Sequence, residues 1–224
     1  MNRRTFLALV SASLVLSIPE HSQAQQTGTD SGPFREMYGN VDGLDRVVLR
    51  TFSTSSMTMA DITGGKVMIV WSSAFLFQEE RDARKAMGGI DDVLTEMLAS
   101  AFGSSGLGVT KKGEVSGPDL GDETISKSTV YNDDSGALPI SLEMNSISVR
   151  KGNLIQVIYA GGLNTSAAQF ASDVVENVDD RWPDNGHESA SSSGRKSGGI
   201  WEALPKAQDV PPGFKISDDY DIRI

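Results

Sequence analysis

Residues 144–182 read MNSISVRKGNLIQVIYAGGLNTSAAQFASDVVENVDDRW, and a strand, a tight turn, a strand, a cap and a helix follow one another in that run. Ile155, Val157 and Tyr159 alternate with Gln156 and Ile158, the period of two that a strand requires. Ile147 and Val149 alternate in the same way one run earlier. Between the runs lies Gly152-Asn153, a hairpin signal, because glycine tolerates the positive φ that a two-residue turn demands. Upstream, Leu138, Ile140, Leu142 and Met144 share one phase, and Ile147 and Val149 fall out of it. One extra residue near Asn145-Ser146 would restore a single buried face, so a β-bulge is expected there.

After Tyr159 the pair Gly161-Gly162 reads as a turn, with Asn164 or Thr165 as a helix cap. Phe170, Val174, Val178 and Trp182 follow at steps of four, flanked by Ala167, Ala171 and Val175, which makes one apolar helical stripe. Pro183 is expected to end that helix, since the residue before a proline avoids the helical region. Hairpins with helices laid on them are an α+β layer arrangement. The expected fold class is α+β: a mainly antiparallel sheet with two principal helices packed on one face.

The rest of the chain fits around this unit. Val47, Leu49 and Thr51 mark a strand from Arg46 to Phe52, and residues 53–63 read as a second strand with Met57 and Met59 on one face. Lys66 to Phe77 is nearly continuous in apolar residues and includes Trp71, as in a central strand covered on both faces for part of its length. Ala83, Met87, Ile90, Leu94, Met97 and Ala101 fall at helical spacing. Gly88-Gly89 inside that pattern costs about 2 kcal/mol relative to alanines. A break is therefore expected there, with Asp91 restarting the helix and Gly103 stopping it. Val109 to Ser116 and Ile125 to Tyr131 read as strands, and Asn132 to Gly136 as a turn. The order of strands, helix, strands, helix suggests an internal duplication, although no residue-level repeat accompanies it.

Met1 to Ala24 looks like an export signal. Arg3-Arg4 forms a charged head, Phe6 to Ile18 is a mostly apolar run too short to span a bilayer comfortably, and Ala24 closes a small-residue cleavage site. The paired arginines followed by Thr5-Phe6-Leu7 resemble a twin-arginine signal, although Ala8 stands where that pattern usually has lysine. The resemblance implies export in folded form, and Arg3, Arg4, Phe6 and Leu7 are its motif residues; the general secretory route is the alternative. The expected layout is signal 1–24, loose segment 25–33, α+β domain 34–183, Ser/Gly-rich linker 184–199, and tail 200–224. The tail is expected to pack back through Trp201, Leu204 and Phe214, with Asp209 to Phe214 as a rigid turn. The expected location is extracytoplasmic: secreted, periplasmic or cell-surface, with no membrane span once the signal is cleaved.

Composition restricts the chemistry. The 224 residues carry a formal charge of −10. That opposes nucleic-acid binding, which needs basic patches to displace counterions. With no cysteine, thiol nucleophiles and thiolate metal sites are excluded. The two histidines, His21 and His187, lie in the signal and in the polar linker, which leaves no basis for a His-dependent triad. Gly103 to Gly108 is glycine-rich but follows a helix, whereas a phosphate cradle precedes one. Acidic groups at Asp119, Asp122 and Glu123, at Asp133-Asp134, at Asp179-Asp180 with Asp184, and at Asp218-Asp219 with Asp221 offer oxygen ligands without calcium-loop spacing. Met57, Met59 and Met68 suit a core better than a copper site, and Ser126-Lys127 suits a strand face better than a nucleophile with its base.

No catalytic, cofactor-binding or metal-ligating residue is assigned, and no cofactor. The Leu204-Pro205 and Asp209 to Phe214 segments, the signal and the strand–helix layout resemble a group of uncharacterised exported bacterial proteins. More distantly, they resemble extracytoplasmic sensor domains of bacterial kinases and PsbP-like domains. The resemblance implies a fold and a location and transfers no site residue. The expected function is an exported extracytoplasmic binding or interaction domain for a small molecule or an envelope protein. The alternatives are a metal- or carboxylate-dependent hydrolase exported in folded form, and a structural cell-surface protein.

Overall fold

The computed structural model describes residues 38–54, 65–104, 107–133, 141–179, 182, 199–210 and 212–224. The export signal, Met57, Met59, His21, His187, Pro183 and the 184–198 linker lie outside them. In chain order the elements are β1 (Leu44–Thr54), β2 (Lys66–Phe77), α1 (Glu80–Ser104), β3 (Leu107–Glu114), β4 (Glu123–Asp133), β5 (Ser141–Lys151), β6 (Leu154–Leu163), α2 (Ala168–Asp179), a 3-10 turn (Ile200–Ala203) and β7 (Phe214–Arg223). Among the described residues seven strands form one antiparallel sheet in the order β3-β4-β5-β6-β2-β1-β7. The α+β class and the mainly antiparallel sheet are as the sequence predicts.

The helices, however, lie on opposite faces of the sheet rather than on one. Ala83, Met87 and Ile90 of α1 join a core containing Leu49, Phe75, Leu142, Met144, Ile155, Val157 and Tyr159. Ala171, Val174 and Val175 of α2 join a second core with Val48, Ala74, Ile147, Val149, Ile158 and Ala160. The strand period explains the phase change read between Met144 and Ile147. Even-numbered Leu142 and Met144 serve the α1 face, and odd-numbered Ile147 and Val149 serve the α2 face. No β-bulge is present near Asn145-Ser146, because β5 keeps unbroken register with both neighbours. A strand covered on both sides needs no extra residue to hide its apolar groups.

The same placement removes the duplication. β2 and β6 are antiparallel partners at the centre of the sheet, so a two-fold axis relating their hairpins would run normal to it. Such an axis keeps the following helices on one face, and here they are on two.

The β5–β6 hairpin turns at Gly152-Asn153 as predicted, with Lys151 paired to Leu154 and Gly152 at φ 60. Asn153 ties the hairpin to β2: its side-chain amide donates to Phe77 O at 2.6 Å, and its carbonyl accepts from Phe77 N at 2.9 Å. Gly161-Gly162 is not a turn but the last part of β6, paired with Met144 and Glu143. A Cβ at Gly162 would lie 2.5 Å from Thr165 O, so the glycine lets the chain fold back closely over the strand. Asn164 does not cap α2. Its Oδ1 accepts from Ser141 N at 2.9 Å, and Ser166 Oγ accepts from Ala168 N at 3.3 Å in the first turn.

α1 runs unbroken through Gly88-Gly89, and Asp91 is an interior residue rather than a new cap. Met87 and Ile90 are buried, each worth about 1.5–3 kcal/mol, which outweighs the roughly 2 kcal/mol cost of two glycines. The side chains of Leu94, Met97 and Ala101 are outside the described set.

Residues 200–204 pack against the sheet. Ile200, Ala203 and Leu204 are buried in the α2-side core, Trp201 and Phe214 pack against it, and Gln156 donates its amide to Ala203 O. The sequence reading missed β7, which pairs with β1 beyond the expected rigid turn. No helix among the described residues is long and apolar enough to cross a membrane.

Candidate functional site

Strand β3 stops before β4 does. Its last rung is Val115 N donating to Ser126 O at 2.9 Å, after which the chain leaves the sheet. It returns at Leu120, where Thr124 Oγ1 donates to Leu120 O at 2.7 Å and accepts from Leu120 N at 3.2 Å. Asp122 then anchors the return, accepting from Gly152 N at 2.7 Å and from Arg150 Nη1 at 3.1 Å. Gly117 lies so close to Ser126 that an added Cβ would overlap its Oγ.

This detour leaves a surface cavity of about 160 Å³ lined by Glu114, Val115, Gly117, Thr124 and Ser126. A smaller recess of about 10 Å³ shares Val115 and Ser126 with it and reaches Asn145 on β5 and Ala168 and Ser172 on α2. The first volume lies below the ~300–1,000 Å³ of drug-sized sites, and the second suits one water molecule.

The floor of this groove is polar and buried. Asn145 is 2% exposed and Ser126 7%. Asn145 Oδ1 and Ser126 Oγ have no hydrogen-bond partner among the described residues. The Asn145 amide cannot simply be flipped, because its Nδ2 donates to Glu143 Oε1 at 3.1 Å and an oxygen there would face a carboxylate. Glu143 Oε1 also accepts from Ser128 Oγ at 3.2 Å and from Ser166 Oγ at 2.8 Å. A carboxylate therefore already sits beside the first turn of α2, where the helix dipole favours negative charge.

A second polar cluster lies under α1. Tyr159 donates its hydroxyl to Asp91 Oδ1 at 2.8 Å, and Lys127 Nζ lies 3.0 Å from Asp91 Oδ2 and 3.3 Å from Asp92 Oδ1. Lys112 Nζ reaches Asp92 Oδ1 at 3.2 Å. Burial works to lower the Lys127 ammonium, but the bonds and charges of Asp91 and Asp92 outweigh it and hold its pKa above the usual value. Burial pushes the Tyr159 hydroxyl well up, and the Asp91 charge pushes it further. A lysine kept charged in this way cannot serve Ser126 or Ser146 as a base, so the arrangement fastens α1 to the sheet.

Two of the acidic groups singled out in the sequence are explained by arginines. Arg150, 4% exposed, lies between Glu80, Asp122 and Glu123 at 3.1–3.4 Å. Asp221 and Asp219 on β7 accept paired hydrogen bonds from Arg46 and Arg50 on β1 at 2.7–2.8 Å. Among the described residues no three acidic or histidine side chains gather as a metal site. Asp134, Asp180 and Asp184 lie outside those residues. The groove was not legible in the sequence, because Asn145 and Ser126 are ordinary strand residues until β3 ends early beside them. Comparison with family models, with curated proteins and with solved structures finds no match to this chain.

Proposed function

We propose that this chain is an exported, extracytoplasmic binding domain whose ligand site is the groove between the 115–120 detour, β4, β5 and the first turn of α2. The observation that carries the proposal is Ser126 Oγ, buried and without a hydrogen-bond partner among the described residues, on a residue that borders both the open cavity and the small recess; Asn145 Oδ1, likewise without a partner, belongs to the recess alone. An unsatisfied buried polar atom costs about 1–3 kcal/mol, so a site that keeps two of them gains when a ligand or an ordered water fills it. The motivation for export is the Arg3-Arg4 head and the apolar run behind it.

The hydrolase alternative draws less support. A paired-carboxylate mechanism needs two carboxyl groups flanking one bond. Glu114 is the only carboxylate among the described residues that line the two cavities.

The test is a two-dimensional amide spectrum of the labelled chain during titration with small sugars, amines, amino acids and carboxylates. Saturable shifts centred on Gly117, Ser126 and the Asn145 side-chain amide are expected for at least one class. Saturable shifts that map elsewhere on the molecule for every class would overturn the assignment of the site.

A further inference from the structure

We infer that β3 is a self-complementary edge, and that two copies of this chain pair through it, antiparallel, about a two-fold axis centred on Gly113. Among the described residues β3 ends the sheet, with β4 as its one neighbour. An edge strand offers unpaired backbone N–H and C=O groups to a strand that can lie beside it. Val115 N donates to Ser126 O, so Val115 turns its backbone groups towards β4, and Gly113 and Lys111 do the same by the period of two. Lys112 and Glu114, between them, turn theirs outwards.

That parity restricts the register of a second β3. Outward residues must face outward residues, so the axis is centred on a residue and not between two. Centred on Lys112 or on Glu114, it sets a like charge directly opposite its own copy, which is destabilising. Centred on Gly113, it sets Lys112 of each copy opposite Glu114 of the other, and this happens twice. Each of those pairs exchanges two backbone hydrogen bonds and places an ammonium beside a carboxylate. Lys112 lies on the α1 face, where its Nζ reaches Asp92 at 3.2 Å. Glu114, two residues on and exposed, shares that face. A two-fold axis normal to the sheet keeps the α1 faces of the two copies on one side, so the opposite charges meet.

Gly113 supports the same register independently. It has no positive φ, and nothing lies within 4 Å of where its Cβ would be. One copy therefore gives no reason for a glycine in a strand, where it weakens pairing unless another backbone comes close. At the axis Gly113 faces its own copy in the closer of the two kinds of antiparallel pair. On the α2 face Lys111 of one copy comes opposite Val115 of the other, and its alkyl stem covers that exposed valine.

The contact is narrow. A bulge between Val109 and Lys111 ends the regular strip on one side, and the chain leaves the sheet after Val115 on the other. So short a strip falls below the ~1,000 Å² of a stable interface, and the dimer is a weak, reversible one. The −10 charge of the chain opposes self-association. Lys111, Lys112 and Glu114 sum to a positive strip, which does not add to that repulsion. The far edge has no such match, because Asp218 and Asp219 stand side by side in the middle of β7.

The experiment is sedimentation velocity of the full chain over a concentration series reaching the millimolar range, with amide exchange at the highest concentration. A reversible monomer–dimer equilibrium is expected, with the amides of Lys112 and Glu114 slowed in the dimer. Lys112→Glu and Glu114→Lys should each weaken dimerisation roughly tenfold, and the double swap should return it near the parent value. Glu114→Pro removes an N–H that the single copy does not use, and should abolish the dimer while the melting temperature stays near that of the parent. A parent chain that stays monomeric throughout overturns the inference. So does a double swap no better than the single reversals, or a Glu114→Pro chain that dimerises as the parent does. Species growing beyond a dimer would mean a head-to-tail contact between β3 and β7, and would overturn it as well.

Discussion

Tyr159 and Asp91, 68 residues apart in the chain, meet at 2.8 Å between β6 and α1. The tyrosine ring also packs against Trp71, with ring centroids 5.8 Å apart. One face of the aromatic core therefore ends in a carboxylate that is 1% exposed and is shared with Lys127. Asp91→Ala leaves both Tyr159 and Lys127 without that partner. It should destabilise by about 3 kcal/mol, the low end for a broken buried ion pair, because Asp92 still holds Lys127. Tyr159→Phe removes one hydroxyl and should cost about 1 kcal/mol. Urea unfolding of the two variants checks the order; equal losses would contradict a shared role for Asp91.

The same cluster sets a pH window. Burial works to raise the Asp92 carboxyl, but hydrogen bonds and charges from Lys112 and Lys127 prevail and hold it below its usual value. Its contribution is therefore present above the unfolded carboxylate pKa of about 3.9 and fades as pH falls through the folded value. Lys127, held up by Asp91 and Asp92, contributes below about pH 10.4 and fades as pH rises through its folded value. Burial and then the Asp91 charge push the Tyr131 hydroxyl up to about 12, which adds to the alkaline loss above pH 10. Thermal melts from pH 3 to pH 11 should show a plateau with both flanks falling. Lys127→Met should flatten both flanks, and a variant with the parent pH profile would count against this account.

Gly88 and Gly89 sit in an unbroken helix with nothing within 4 Å of where a Cβ would lie. Alanine at either position should stabilise by about 1 kcal/mol through helix propensity and lower unfolded-chain entropy. The melting temperature should rise by about 2–4 °C for each substitution. A fall would mean that the glycines serve a close approach this packing does not contain.

Gly117 is the opposite case. A Cβ there overlaps Ser126 Oγ and lies 2.8 Å from Ser126 Cβ. Gly117→Ala should destabilise by about 1–3 kcal/mol by overpacking and should displace the 115–120 detour from β4. Ser126→Ala in the same chain should recover part of the loss. Additive losses in that double-mutant cycle would show that the two positions do not touch.

Arg50 fastens the C-terminal segment. It pairs with Asp219, donates to Pro205 O at 2.9 Å and lies 5.9 Å from the centroid of the Trp201 ring. Arg50→Met should cost about 1–3 kcal/mol and loosen β7 before the rest of the sheet. Hydrogen exchange should speed up at residues 214–223 and stay near parent levels in β5 and β6. Uniform acceleration across the sheet would show that β7 does not open separately.

Periodicity in the sequence located most strands, both helices and the Gly152 turn, because alternation and the step of four report burial directly. It failed where burial has two sides. β5 changes phase between Met144 and Ile147 because each parity serves its own helix, and a one-sided sheet was the wrong frame for that pattern. The glycine pairs misled for a related reason. Gly161-Gly162 allows close packing rather than a turn, and Gly88-Gly89 is carried by its neighbours Met87, Ile90 and Asp91. β7 escaped because Lys215 to Asp219 are exposed edge residues with little apolar alternation, and the strand it pairs with lies at the other end of the chain. The groove escaped because it depends on where β3 stops, which no local pattern records.

The side-chain bridges that join β1 to β7 span 169 and 175 residues of chain. Loop closure on that scale comes late in folding, after the nearest-neighbour meander from β3 to β6 has formed. On a ribosome β1 must wait with one edge unpaired until the last strand has been made. The transient hazard for this molecule is then strand capture by another copy at β1, and a chaperone that shields that edge during synthesis would be expected to raise the yield of folded protein.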